Sequence, residues 1–231
     1  MKSGEASLSV IIPAWNEEAT IGEMIDHLMA QGADEIVVAD GGSTDRTREI
    51  AARGAIVVEG EANRGAQMNA GAAAASGEIF LFLHADVRLG NGGLGTVRRV
   101  MKNPAVAGGN FDIRYQGSDA AASAFTLINR WRRRAGIFYG DSGIFCRRLV
   151  FEELGGYRPY PILEDYEFAR RLRRHGQLAL LEEPILVSDR RWRHAGLAST
   201  LWSWFWIQGL YLAGVSPARL ARMYRHVRPP R

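Results

Sequence analysis

The stretch Leu8-Ser9-Val10-Ile11-Ile12-Pro13-Ala14-Trp15-Asn16-Glu17 decides how this chain is read. Residues 8–12 form a short run rich in β-branched side chains that ends at a proline, the pattern of a strand buried on both faces of a sheet. A polar turn follows. From Glu18 the apolar positions Ile21, Met24, Ile25, Leu28 and Met29 recur at helical spacing, and Gly32 stands where a helix C-cap is expected. Strand, loop and helix thus follow one another within residues 8–32.

Outward from this unit the rhythm repeats. Residues 35–39 (Glu-Ile-Val-Val-Ala) read as a second strand, Asp40-Gly41-Gly42-Ser43 as its loop, and a helix capped near Ser43 or Thr44 runs on to Gly54. Residues 55–58 read as a third strand, followed by an alanine-rich helix from about Gly65 to Ala75. A fourth strand over 78–83 ends at His84-Ala85-Asp86. Such alternation predicts an α/β fold with a doubly wound parallel sheet, whose ligands sit outside the strand carboxyl ends. Beyond Asp86 the pattern is mixed. It predicts a strand over 106–115, a helix over 119–135, a short strand over 143–146, a helix over 164–175, and helices over 197–214 and 217–226.

The chain has 231 residues, 47% of them hydrophobic, which suits one domain with a single sizeable core. Cys146 is the only cysteine, so an intramolecular disulfide is excluded and a reducing, cytoplasmic setting is expected. No long apolar segment precedes the first strand, so a secretory leader is not expected. Residues 1–115 carry 10 basic against 15 acidic side chains, while residues 116–231 carry 19 against 10. The basic half lacks any recognisable nucleic-acid module, and no nucleic-acid partner is expected. The apolar stretch 197–215 is diluted by Ser199, Thr200, Ser203, Gln208 and glycines, which argues against a membrane span.

Polar groups gather at the predicted strand ends: Asn16 and Glu17 after the first, Asp40 to Ser43 after the second, Asn63, Arg64, Gln67 and Asn69 after the third, His84 and Asp86 after the fourth. Each alone has a structural reading, such as Asn16 or Ser43 as a helix cap and Asp40-Gly41-Gly42 as a turn. Together they form one polar edge. No G-x-G-x-x-G follows the first strand and no G-x-x-x-x-G-K-[ST] occurs, so neither a dinucleotide fingerprint nor a Walker phosphate loop is present. A strand-end carboxylate such as Asp86 suits a hard divalent cation bridging phosphates.

In six ordered pieces the sequence resembles the family 2 glycosyltransferases of the A-type fold, over about residues 7–195. The pieces are Ser9 to Glu18, Val38-Ala39-Asp40-Gly41-Gly42-Ser43-Thr44-Asp45, Asn63-Arg64-Gly65-Ala66-Gln67-Met68-Asn69, and Phe82-Leu83-His84-Ala85-Asp86. Gly143 to Arg148 with Gly155-Gly156-Tyr157, and Leu163-Glu164-Asp165, complete the set. The resemblance implies a nucleotide-sugar-binding half at about 7–115, an acceptor half at about 116–195, and C-terminal helices over 197–226. It implies that Pro13, Ala14, Glu17 and Asp40 hold the nucleobase and ribose, with Asn16, Ser43 and Ala85 beside them, and that Arg64, Gln67 and Asn69 lie near the diphosphate and sugar. Asp86 matches the last carboxylate of the family's D-x-D element, whose first position is here His84. Mn²⁺ or Mg²⁺ is the implied cofactor, with Asp86, His84 and His194 as candidate ligands.

Glu164 and Asp165 match the family's paired acids, and the acceptor hydroxyl must lose its proton as it attacks the anomeric carbon, a task for one positioned carboxylate. Asp165 is assigned that role. The alternative is that both acids complement the helix N-terminus and pair with Arg170 or Arg171. Asp141 and the Arg190-Arg191-Trp192 cluster are further candidates for acceptor contact. The resemblance implies inverting transfer from a UDP-sugar to a hydroxyl whose bearer, lipid-linked or acidic, the sequence leaves open. Rival readings are a nucleotide-sugar-binding protein weakened in turnover, suggested by His84, and a sugar-phosphate nucleotidyltransferase, which would show glycine and basic residues after the first strand where Pro13 to Glu18 has neither. The aromatics Trp202, Trp204, Phe205, Trp206 and Tyr211 make 197–214 a candidate for a membrane-surface contact or a homodimer interface.

Overall fold

A computed structural model describes residues 6–115, 120–187 and 197–225. The first half alternates as its periodicity predicts: β1 (Leu8–Ala14), α1 (Ile21–Ala30), β2 (Glu35–Asp40), α2 (Thr47–Ala51), β3 (Ile56–Glu59), α3 (Arg64–Ala74) and β4 (Ile79–Phe82). The second half comprises β5 (Val87–Leu89), α4 (Gly93–Met101), β6 (Val106–Tyr115), α5 (Ala120–Arg134) and a 3-10 turn over Gly140–Ser142. It continues with β7 (Ile144–Arg147), α6 (Arg148–Glu153), α7 (Glu164–His175), β8 (Gln177–Val187), α8 (Leu197–Leu212) and α9 (Pro217–Arg225).

The eight strands of the described residues join one sheet in the order β3-β2-β1-β4-β7-β6-β8-β5. The first four are parallel, and β7 is inserted antiparallel between β4 and β6. Side chains alternate across the strands, so β1 divides its apolar residues between two layers. Leu8, Val10 and Ile12 belong to the core layer that α1, α2 and α4 complete, while Ile11 belongs to the layer that holds Val37, Met68 and Ala72 of α3, and Phe151 and Phe168 of α6 and α7. In that second layer Phe82 meets Tyr157 edge to face and Tyr157 meets Phe168 at a tilt, with ring centroids 5.0 and 4.4 Å apart. The aromatic column fixes the 154–163 loop and α7 against β4.

Several boundaries depart from the sequence reading. The second helix begins at Thr47, not near Ser43 or Thr44, because the Ser43 hydroxyl is spent on Asp40 and the Thr44 N–H on Asn16. Asn16 does not cap α1 either; its backbone is left-handed (φ 54°), and Thr20 precedes the helix. Four elements gave no clear signal: β5, α4, α6 and β8. The strand β8 carries Glu182-Glu183-Pro184, and the sheet accommodates this with a register shift opposite Asn110 and Asp112.

Candidate functional site

The carboxyl ends of β1 and β2 are stitched together before any ligand is considered. The buried Asp40 carboxylate accepts hydrogen bonds from the backbone N–H of Gly42 (3.0 Å) and Ser43 (2.9 Å) and from the Ser43 hydroxyl. Ser43 Oγ in turn accepts the Asn16 N–H at 2.9 Å, and Asn16 Oδ1 accepts the Thr44 N–H at 2.9 Å. The Glu17 N–H donates to Thr47 Oγ1 at 2.7 Å. Pro13 and Ala14 end β1 in register with Ala39 and Asp40. Buried Gln67 of α3 donates to both the Ala14 and Ala39 carbonyls, at 2.8 and 2.9 Å, and so locks the two strand ends from beneath.

The antiparallel strand β7 closes the other side of this edge. Its first residue, Ile144, pairs with Phe82 at the carboxyl end of β4, so the turn Gly140–Ser142 arrives beside His84. Contact there is tight. A Cβ on Gly140 would lie 2.7 Å from His84 Nε2 and 3.2 Å from Asp165 Oδ2. The Gly140 N–H donates to Asp165 Oδ2 at 2.8 Å. After β7 and α6 the chain returns along α3: Asn69 exchanges two 2.8 Å hydrogen bonds with the Tyr157 backbone, and Asn63, the N-cap of α3, donates to the Tyr160 carbonyl at 3.2 Å. Gly65 is required at this seam, since a Cβ there would meet the Arg158 carbonyl oxygen at 2.6 Å.

That return path delivers the N-terminus of α7 to the N-terminus of α3. Leu163, immediately before α7, is left-handed (φ 63°), and it and Asn16 are the only non-glycine residues of positive φ among those described. Both flank this edge, as strained backbone tends to flank functional sites. Glu164, almost wholly buried, meets Arg64 at 3.2 Å, while the Arg64 side chain remains 40% exposed. Burial, reinforced by the neighbouring Asp165 charge, pushes the Glu164 carboxyl up to about 7 against the pull of Arg64. Desolvation works against the Arg64 charge, but Glu164, Asp165 and then Asp86 hold its pKa above the usual arginine value.

The structure therefore gathers Pro13, Ala14, Asn16, Glu17, Asp40, Ser43, Arg64, His84, Ala85, Asp86, Glu164 and Asp165 along one sheet edge. Gln67 and Asn69 stand in the same region, yet their amides are committed to the strand ends and to Tyr157, so they frame the site rather than face it. The pairing alternative for the acids is overturned: Arg171 is taken by Glu167 at 2.7 Å and Arg170 lies over the Tyr166 ring, leaving Arg64 to Glu164. His194 and Arg190-Arg191-Trp192 lie outside the described residues. The sequence reading missed Gly140 and Tyr139, and also the Arg132–Gln208 hydrogen bond (2.8 Å) that ties α8 to α5 and reaches Tyr139. None of these has a motif of its own.

Asp86 is exposed and His84 half-buried at the end of β4. Among the described residues no cluster of three His, Cys, Asp or Glu side chains is placed to hold a cation unaided. One exposed carboxylate does fit a Mg²⁺- or Mn²⁺-like ion whose remaining ligands are phosphate oxygens and water.

Comparison with known proteins gives a consistent set. The sequence pattern described as Glycosyl transferase family 2 matches residues 9–155. A PGL/p-HBAD biosynthesis glycosyltransferase of Mycobacterium bovis is 29% identical over 212 residues, 83% of this chain and 75% of that one. The first curated relatives match over shorter stretches, and this chain spans only 24% and 29% of their length. Among solved structures, S. aureus TarS superposes with a TM-score of 0.65 at 19% identity, covering 79% of this chain and 60% of that one. Glucosyl-3-phosphoglycerate synthase of Mycobacterium tuberculosis, solved with Mn²⁺, UDP and glucosyl-3-phosphoglycerate, gives 0.58 at 24% identity, covering 79% and 71%.

Proposed function

Since this chain belongs to glycosyl transferase family 2, we propose that it moves a sugar from a UDP-sugar to an acceptor hydroxyl, with inversion at the anomeric carbon and the help of Mn²⁺ or Mg²⁺. The observation that carries this reading is the meeting of Arg64 with Glu164, beside the buried Asp165, at the edge where Asp40 ends β2 and Asp86 follows β4. The helix N-termini of α3 and α7 converge there, which favours an anionic diphosphate.

Asp40 would hold the nucleobase. Its carboxylate accepts from Gly42 and Ser43 and lies 3.8 Å from Arg48 Nε, which fixes it at the strand end where the base would bind. Asp86 and His84 would hold the cation with the donor, and the cation would offset charge developing on the departing diphosphate. Asp165, aimed by the Gly140 N–H, would take the acceptor proton as the oxygen attacks the anomeric carbon. The carbon–oxygen bond to the diphosphate then breaks, and the electron pair leaves with the nucleoside diphosphate beside Arg64. The neighbours solved with UDP-GlcNAc and with UDP and Mn²⁺ support the donor class through their shared fold.

Thermal unfolding tests the donor site first, with UDP, GDP, ADP and CMP, each with and without Mn²⁺, on the wild type and on Asp86→Ala. A ligand at a hundredfold excess over its Kd stabilises the folded state by about 2.7 kcal/mol. A UDP shift that requires Mn²⁺ and disappears in Asp86→Ala is the expected result; no shift with any nucleotide would sink the assignment. Turnover is tested separately: Asp165→Asn keeps the UDP shift and loses sugar transfer, whereas a wild type that binds UDP-sugar and never releases UDP would favour a binding protein.

A further inference from the structure

The helix α8 carries apolar side chains on its exposed face as well as on its inner one. Its exposed positions include Trp202, Phe205, Trp206, Gly209 and Leu212, while Ile207, Gln208, Leu210 and Tyr211 are half-buried, with Gln208 bonded to Arg132 and Tyr139 and Tyr211 against the ring of Tyr166. Trp202 is 69% exposed and Phe205 78% exposed, and Trp202 stacks on Trp206 with ring centroids 6.2 Å apart. The neighbouring helix α5 repeats the arrangement: Phe125 is buried, whereas Leu127 and Trp131 are 69% and 70% exposed. Aromatic side chains held in water on two adjoining helices mark a surface built for a partner. A core helix would turn these side chains inward.

We propose that α5, α8 and α9 form a docking surface for an anionic lipid bilayer. Charge selects this occupant. The three helices together carry seven arginines and no carboxylate; Arg130 of α5 is already held by Asp112 at 2.6 Å, while Arg134 of α5 and Arg219 and Arg222 of α9 are exposed, and α9 packs on α8 with Leu220 buried. A second copy of the chain would bring the same arginines against themselves. Anionic headgroups neutralise them, and tryptophan is suited to the boundary between headgroups and acyl chains. None of the helices in the described residues is long and apolar enough to cross a membrane, so the contact is peripheral. Because Gln208 ties α8 to Tyr139, next to Gly140, docking would also set the acid pair near the headgroups; that consequence, unlike the docking itself, rests on the proposed transferase activity.

Flotation of the full chain with vesicles tests the docking without any substrate. Wild type should float with mixed phosphatidylglycerol–phosphatidylcholine vesicles at low salt, and not with pure phosphatidylcholine, and should be released as salt is raised. Trp202→Ser/Phe205→Ser/Trp206→Ser should lower the vesicle partition coefficient about tenfold or more while keeping the wild-type unfolding temperature, because these side chains lie outside the core. Arg219→Glu/Arg222→Glu, on a different helix, should weaken binding to the anionic vesicles as well. Wild type left at the bottom of the gradient with anionic vesicles at low salt would overturn the proposal. So would a dimer, detected by analytical ultracentrifugation, that the triple variant dissociates. Donor binding, read as a UDP thermal shift, is unchanged in both variants if they are folded, which separates failure of docking from failure of the donor site.

Discussion

Replacing Glu164 with glutamine should make the protein more tolerant of alkaline conditions, and the size of the effect follows from the site. The carboxyl has an ordinary value of 4.5 and is pushed up to about 7 in the folded chain by burial and by Asp165. The folded state therefore holds a proton that the unfolded state has already lost between these two values. Stability contributed by this group is fully present below 4.5 and is lost as pH rises through about 7. At about 1.4 kcal/mol per pH unit the loss is on the order of 3 kcal/mol. Glutamine fills nearly the same volume and does not titrate. The difference in unfolding free energy between Glu164→Gln and wild type should accordingly grow by that amount from pH 4.5 to pH 8, whatever its starting value. Urea unfolding at several pH values measures it, as a relative midpoint shift of about a molar. A difference that stays flat over this range, or that turns against the variant as pH rises, would refute the reasoning and would mean that the Arg64 ion pair outweighs desolvation.

Three further outcomes follow from the same geometry. Gly140→Ala should displace His84 or Asp165, since its Cβ would sit 2.7 Å from one and 3.2 Å from the other; about 1–3 kcal/mol of stability should be lost, and kcat should fall, with the UDP thermal shift kept where Asp165 moves and weakened where His84 does. Gln67→Leu removes both hydrogen bonds that join the ends of β1 and β2 and should cost about 1–3 kcal/mol in urea unfolding. UDP affinity should fall with it, because Asp40 is no longer held. The Cys146 thiol is fully buried and its pKa is pushed far up by desolvation, so a thiol reagent should label it only at the rate of unfolding, with ligand that stabilises the fold slowing the labelling.

Strands β1, β2 and β4 were legible because buried parallel strands need continuous apolar runs, which Val10-Ile11-Ile12, Ile36-Val37-Val38 and Phe80-Leu81-Phe82 supply. What the periodicity could not reveal was how the second half folds back. Strand β8 hides behind Glu182-Glu183-Pro184, and the role of Gly140 arises only because β7 runs antiparallel to β4. The same limit explains Gln67 and Asn69. Their positions in the third motif place them beside the donor edge, but only contacts 53 and 88 residues away reveal that their amides hold backbone. Conversely Ser43, readable as a helix cap, is a link between Asp40 and Asn16, and a capping rule cannot distinguish the two uses of one hydroxyl.

The reversal at β7 is also what turns a nucleotide edge into a reactive one. A parallel β3-β2-β1-β4 unit can present Asp40, Arg64 and Asp86, yet the acid that meets Arg64 comes from α7, outside that unit. Running β7 backwards places the Gly140 turn at the end of β4, and the return loop along α3, pinned by Asn63, Asn69 and the Phe82–Tyr157–Phe168 column, sets α7 down with its acids toward Arg64. The 100-residue separation between Arg64 and Glu164 is thus bridged by framework residues rather than by the ion pair alone. Loosening the framework at Asn69 should therefore misplace Asp165 even though Asn69 touches neither acid.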